Sequence, residues 1–148
     1  MLFTTLFAFI VPWAIILFIL KIDLKIIVLI APITAVLTFT LDAWTIAYGF
    51  ASVYPFSAET NFASLPMALG VMPVCASIFI YLVKRYAYSL AWIVGFILFS
   101  TLLEWFFVQM GLIRYENNWN IWWTSLEYVT GYTGVFGYYK VLRKLELL

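Results

Sequence analysis

The chain has 148 residues, of which 66% are hydrophobic, 21% aromatic and only 10% charged, whereas soluble domains carry about 25% charged residues. A net charge of +1 without a basic tract or acidic tail excludes a nucleic-acid partner bound through charge. One cysteine excludes an intrachain disulfide, and the lack of histidine removes His-bound metals, haem ligation by His and every His-dependent triad. This is the composition of an integral membrane protein, with membrane lipid as its certain partner and no cofactor called for.

A span needs about 20 apolar residues, and the first stretch, 2–20, supplies one. It has no basic region ahead of it and no small-x-small cleavage site before Lys21, so it reads as a retained helix rather than a signal peptide. The second span, 26–50, contains Asp42 among the hydroxyls of Thr38, Thr40 and Thr45, and also Pro32. A loop from Ala51 to Leu65 without Lys or Arg leads to the third span, 66–83. Pro66 suits a first helical turn. Pro32 and Pro73 each remove a backbone donor and can free a carbonyl for a neighbour. Cys75, among apolar residues, reads as inert core.

The fourth span, 89–110, carries Glu104 with Ser100 and Thr101 one turn below it, and Arg114 stands in the loop that follows. The fifth, 121–142, is the most polar. In it Glu127, Gly131, Gly134 and Tyr138 recur at helical spacing, a seam in which Gly131 and Gly134 would allow close helix packing. The short connections leave no separate soluble domain. The expected architecture is a single all-α domain over 1–148, a compact bundle of five transmembrane helices.

Seven of the eight basic residues, Lys21, Lys25, Lys84, Arg85, Lys140, Arg143 and Lys144, fall on one side of such a bundle. Basic residues are retained in the cytoplasm, so the N-terminus is expected outside and the C-terminus inside. Trp44, Tyr48, Tyr54, Trp105, Tyr115, Trp119, Trp122 and Trp123 then gather toward the outer interface, where amphipathic rings settle.

Asp42 lies sixteen residues past Ile26, Glu104 fifteen past Ser89, and Glu127 thirteen before Lys140. At about 1.5 Å per residue these are depths of roughly 24, 22 and 20 Å from the cytoplasmic ends. All three acids therefore share a level in the outer half of a core about 30 Å thick. Each costs about 2.5–3.5 kcal/mol to insert, while a Leu or Phe returns about 0.3–0.6, so each should turn inward toward partners. Arg114, the one exception to the positive-inside pattern, is the cation expected to reach Glu104 or Glu127. Tyr54, Trp105 and Trp119 are the expected supporting residues.

From Leu41 onward the chain resembles a family of small, uncharacterised polytopic membrane proteins common in spore-forming Bacillota. The resemblance rests on LDAWTIAYGF with Asp42 and Gly49, Tyr54 and Pro55, the pair Leu65 and Pro66, Pro73, FSTLLEW around Glu104, Gly111, and NNWNIWWTS from Asn117 to Ser125. It covers about two-thirds of the chain, and Trp123 and Thr124 depart from the family's usual tyrosine before the serine. It implies a bacterial cytoplasmic membrane, multi-pass, with a link to sporulation, and it brings no reaction, cofactor or site.

Three functional readings follow. The leading one is a non-enzymatic protein whose acidic, outward-opening pocket, formed by Asp42, Glu104 and Glu127, binds a proton, cation or small polar ligand as a minimal transport or sensing unit. Five helices are few for a transporter, so a homo-oligomer is then expected. The second is an accessory subunit of a larger membrane complex, with the acids serving helix packing. The third is an intramembrane carboxylate enzyme acting on a lipid-like substrate.

Overall fold

The computed structural model describes residues 5–54, 63–86 and 88–148. Leu2, where the first span was expected to begin, and Pro55 of the family pattern lie outside these residues. The described chain is mostly helical, with five long helices: α1 (Leu6–Ile19), α2 (Leu24–Ala47), α3 (Met67–Arg85), α4 (Ser89–Gln109) and α5 (Ile121–Lys144). Of these, α2, α3 and α4 are long and apolar enough to cross a membrane, and α1 is apolar but shorter.

Helix boundaries follow local chemistry. The Asp23 side chain accepts from Lys25 N–H at 2.9 Å, and that of Asn120 from Trp122 N–H at 3.0 Å, so an N-cap starts both α2 and α5. The C-terminal ends of α2 and α4 are built alike. Gly49 (φ +67°) and Gly111 (φ +71°) adopt the left-handed conformation, and Phe50 N–H and Leu112 N–H bond back to the Thr45 and Phe107 carbonyls. Such caps satisfy the last carbonyls and turn the chain sharply.

Both turns lead into strands that the all-α expectation did not contain, β1 (Ala51–Val53) and β2 (Ile113–Tyr115). They pair antiparallel, with Ala51 opposite Tyr115 and Val53 opposite Ile113. The pair ties together the loops at one end of α2 and α4.

Helix α3 is the most deeply buried of the apolar helices and α4 the least. The core packs Phe79, Ile80, Val74 and Ala76 of α3 against Ile26, Ile27 and Ile30 of α2 and Tyr132, Val135 and Tyr139 of α5. In contrast, α4 exposes Leu90, Val94, Leu98, Leu102, Trp105 and Phe106, an apolar face that suits lipid contact.

Prolines shape the crossing of α1 over α3. Pro12 and Pro73 each follow a widened π-helical turn, Leu6–Ile10 and Met67–Val71. Pro73 has no N–H for the carbonyl four residues back, which is that of Leu69, and Trp13 Nε1 donates to it from α1 at 2.9 Å. The carbonyl four residues before Pro12 is that of Ala8. It approaches Gly70 so closely that a Cβ there would overlap it. Pro32, by contrast, lies exposed within a continuous α2.

The close-packing role expected of Gly131 and Gly134 therefore falls to Gly70, since a Cβ at either of the other two would meet nothing within 4 Å. Gly70→Ala should lower stability by about 1–3 kcal/mol through overpacking. Gly134→Ala should raise it by up to about 1 kcal/mol through helix propensity. Thermal or denaturant unfolding in detergent measures both, and equal effects at the two positions would contradict this assignment.

Candidate functional site

One face of α2 carries Thr34, Thr38, Leu41, Asp42 and Thr45, which repeat at helical spacing and all line a single cavity of about 110 Å³. Helix α5 contributes Glu127, Tyr128, Gly131, Tyr132 and Val135, α4 contributes Glu104, and α3 contributes Met72 and Ala76. Ala51, Val53 and Ile113 of the strands also line it, as do Ser64 and Trp119. The structure thus brings Asp42, Glu104 and Glu127 to one cavity. No lysine or arginine stands among these lining residues.

Two of the acids are held by hydroxyls from other elements. Thr45 Oγ1 donates to Glu127 Oε1 at 2.6 Å, joining α2 to α5. Asp42 shares the cavity lining with Ser64, just ahead of α3. Glu104 has the fullest set, with Tyr128 Oη donating to Oε2 at 2.6 Å and Tyr115 Oη to Oε1 at 2.7 Å. Hydrogen bonds from hydroxyls to a carboxylate are short and strong in a low-dielectric setting.

A second line of bonds leads away from Glu104. Thr124 Oγ1 donates to Tyr115 Oη at 3.3 Å, and Trp119 Nε1 donates to Thr124 Oγ1 at 3.0 Å. Burial, and next the neighbouring Glu104 carboxylate, push the Tyr115 phenol above the ordinary tyrosine value, so Tyr115 stays a proton donor at neutral pH. Below Glu104 on the same interface, Ser100 shares a hydrogen bond with Tyr132 at 2.7 Å and Thr101 donates to Ser125 at 3.3 Å. Together these polar pairs register α4 against α5.

The turn that carries Trp119 explains the run of asparagines in the sequence. Asn117 and Asn118 both have positive φ, 50° and 60°, a conformation that asparagine tolerates better than most residues. Asn117 Nδ2 donates to the Gly49 carbonyl at 2.9 Å, fastening the turn to the end of α2. Phe50 then stacks on Trp119, with ring centroids 4.9 Å apart.

Arg114, Tyr54 and Trp105, also expected at the site, lie elsewhere. Arg114 is exposed on β2 and does not line the cavity. Strand side chains alternate faces, and Ile113 and Tyr115 on either side of Arg114 take the inward one. The hydroxyl of Tyr115 occupies the place beside Glu104 that was expected for Arg114. Tyr54 borders a separate apolar pocket with Phe7, Met67 and Phe107, and Trp105 is exposed on the outer face of α4. Of the three supporting aromatics, only Trp119 reaches the cavity.

Tyr115, Tyr128, Thr124 and Ser64 escaped the sequence reading. For two of them a signal was present, because Thr124, Tyr128 and Tyr132 repeat every four residues on the face that also holds Glu127 and Gly131. Among the described residues no group of three or more Asp, Glu or Cys side chains could hold a metal ion. Compared with known proteins, the chain matches no family model, no curated protein and no solved structure.

Removing either phenol leaves one Glu104 oxygen without its donor. Tyr128→Phe and Tyr115→Phe should each cost about 1–3 kcal/mol, measured by unfolding in detergent. A double-mutant cycle of Tyr128→Phe with Glu104→Leu should return a coupling of at least about 0.5 kcal/mol. A coupling near zero would mean that the bond does not contribute to stability.

Proposed function

We propose that this chain is a multi-pass protein of a bacterial cytoplasmic membrane whose cavity takes up a proton, a cation or a small polar solute from the outer side, as a minimal transport or sensing unit. The observation that carries this reading is the meeting of three carboxylates around one open volume with no basic side chain among its described lining residues. A positive charge brought by the occupant would complete that electrostatic balance.

Five spans, with the N-terminus outside, fit this reading. Lys21 stands between α1 and α2, Lys25 lies in the first turn of α2, Lys84 and Arg85 close α3, and Lys140, Arg143 and Lys144 close α5. All seven then face the cytoplasm. Helix α5 owes its polarity to the face that lines the cavity, where Thr124 and Glu127 are shielded by neighbouring helices.

The donor arrangement favours a proton, or a cation with several N–H groups such as an ammonium or guanidinium, over a bare metal ion. About 110 Å³ suits a solute of a few non-hydrogen atoms. That volume is small for a whole acyl or isoprenoid chain, which ranks the carboxylate-enzyme reading last. The packing reading draws its support from the Thr45–Glu127 and Tyr128–Glu104 bonds, which cross between elements.

Amide replacements separate the two leading readings. In proteoliposomes Asp42→Asn, Glu104→Gln and Glu127→Gln should each reduce proton flux or uptake of methylammonium or guanidinium at least about tenfold, as expected for loss of an intramembrane ionisable group, with melting temperatures close to that of the parent. Vesicles that leak no faster than empty ones, together with amide variants that all lose stability, would overturn this proposal and leave the acids as packing elements.

A further inference from the structure

Trp119 occupies an unusual position for an aromatic residue near the membrane surface. It lies on the tight turn made by Asn117 and Asn118, lines the cavity and stacks on Phe50. Its indole N–H is the first donor in a directional line that ends on Glu104: Trp119 Nε1 to Thr124 Oγ1 at 3.0 Å, Thr124 Oγ1 to Tyr115 Oη at 3.3 Å, and Tyr115 Oη to Glu104 Oε1 at 2.7 Å. Thr124 is 1% exposed, so water cannot readily replace a lost partner there.

Each hydroxyl in the line has one proton to give. Tyr115 gives its proton to Glu104 and so must accept at its own oxygen, where Thr124 donates. Thr124, with its proton committed, presents a lone pair to the indole. The acceptor oxygen of Glu104 at the end of the line orients every bond before it, because successive hydrogen bonds polarise one another. An occupant that draws Glu104 Oε1 to itself competes with Tyr115 and releases that order.

We propose that Trp119 is a lid over the outer mouth of the cavity, latched shut through Thr124 and Tyr115 to Glu104, so that engagement of Glu104 from inside the cavity loosens the lid. The lid rests on the outward-opening cavity proposed above and is independent of which solute enters. Phe50 and Asn117 steady the lid: the first offers a ring to stack on, and the second pins the turn to Gly49.

The test uses a cysteine reporter inside the cavity. Gly131 lines the cavity and an added Cβ there meets nothing within 4 Å, so Gly131→Cys in a Cys75→Ala background places a thiol inside without displacing a neighbour. The full chain in lipid nanodiscs is treated with methanethiosulfonate ethylammonium, and the labelling rate of the reporter is followed by mass. Trp119→Ala should raise the rate. Thr124→Val, which keeps the side-chain volume, and Tyr115→Phe should each raise it about five- to tenfold, the population shift expected when one net hydrogen bond is lost. Trp122→Phe, 77% exposed and outside the line, should leave it unchanged.

An unchanged rate in Trp119→Ala would overturn the lid. A faster rate in Trp119→Ala but not in Tyr115→Phe or Thr124→Val would overturn the latch, and so would an equal rise in Trp122→Phe. Melting curves accompany every variant, and if Thr124→Val does not fold, Tyr115→Phe breaks the same line one bond further on. Labelling needs no transported solute, so these outcomes stand apart from the flux measurements.

Discussion

A carboxylate in the interior of a helical membrane protein must find hydrogen-bond donors within the protein, because lipid offers none. Here every hydroxyl donor on Glu104 and Glu127 comes from a different element from the acid it serves. Tyr128 on α5 and Tyr115 on β2 hold Glu104 of α4, and Thr45 on α2 holds Glu127 of α5. Meeting that need fixes how the elements face one another. The rotation of α5 is set twice, because Glu127 must meet Thr45 while Tyr128, one residue on, meets Glu104. Two bonds about 100° apart around one helix leave it little freedom to turn.

The strand pair follows from the same requirement. Tyr115 can reach Glu104 only if the chain leaving α4 doubles back over the bundle, and Gly111, in the left-handed conformation, makes that reversal without steric cost. Gly49 does the same for the chain leaving α2. Once both segments lie side by side, pairing Ala51–Val53 with Ile113–Tyr115 satisfies backbone groups that leave the helices unpaired. The alternation of the strands then points Tyr115 and Ile113 inward and Arg114 outward. A one-residue slip would bring Arg114 to the acids and expel the phenol.

Much of this was legible in the sequence. The apolar runs gave five helices with boundaries within a few residues of those observed, and the depth count put the acids at one level. The principle that lipid cannot solvate an acid pointed them inward, and they do surround one cavity. Helix rotation was not legible, which is why the hydroxyls of Tyr128 and Thr124 went unassigned. Three-residue strands are too short to show a period of two, so Tyr115 was assigned only to the interface. The seam of Gly131 and Gly134 looked like a packing surface because spacing reveals which residues share a face but not what lies opposite it. At Gly70 the close approach depends on carbonyls exposed by prolines on two separate helices, a coincidence that no single stretch of sequence displays.

The geometry also bears on whether the acids serve only to hold helices together. Interhelical hydrogen bonds need contact, and a bundle held by them gains nothing from empty space beside them. Ser100 with Tyr132 and Thr101 with Ser125 are bonds of that kind, made directly across the α4–α5 interface. Around the acids the lining includes residues too small to fill the space: Gly131, where a side chain would meet nothing, along with Ala51, Ala76, Thr34 and Thr38. Larger apolar residues at these positions would close the cavity and add buried surface at about 25 cal/mol per Å². Keeping three carboxylates beside an open volume forgoes that gain. Room beside the acids is thus a feature of the arrangement, and it is the space that the proposed uptake of a solute would use.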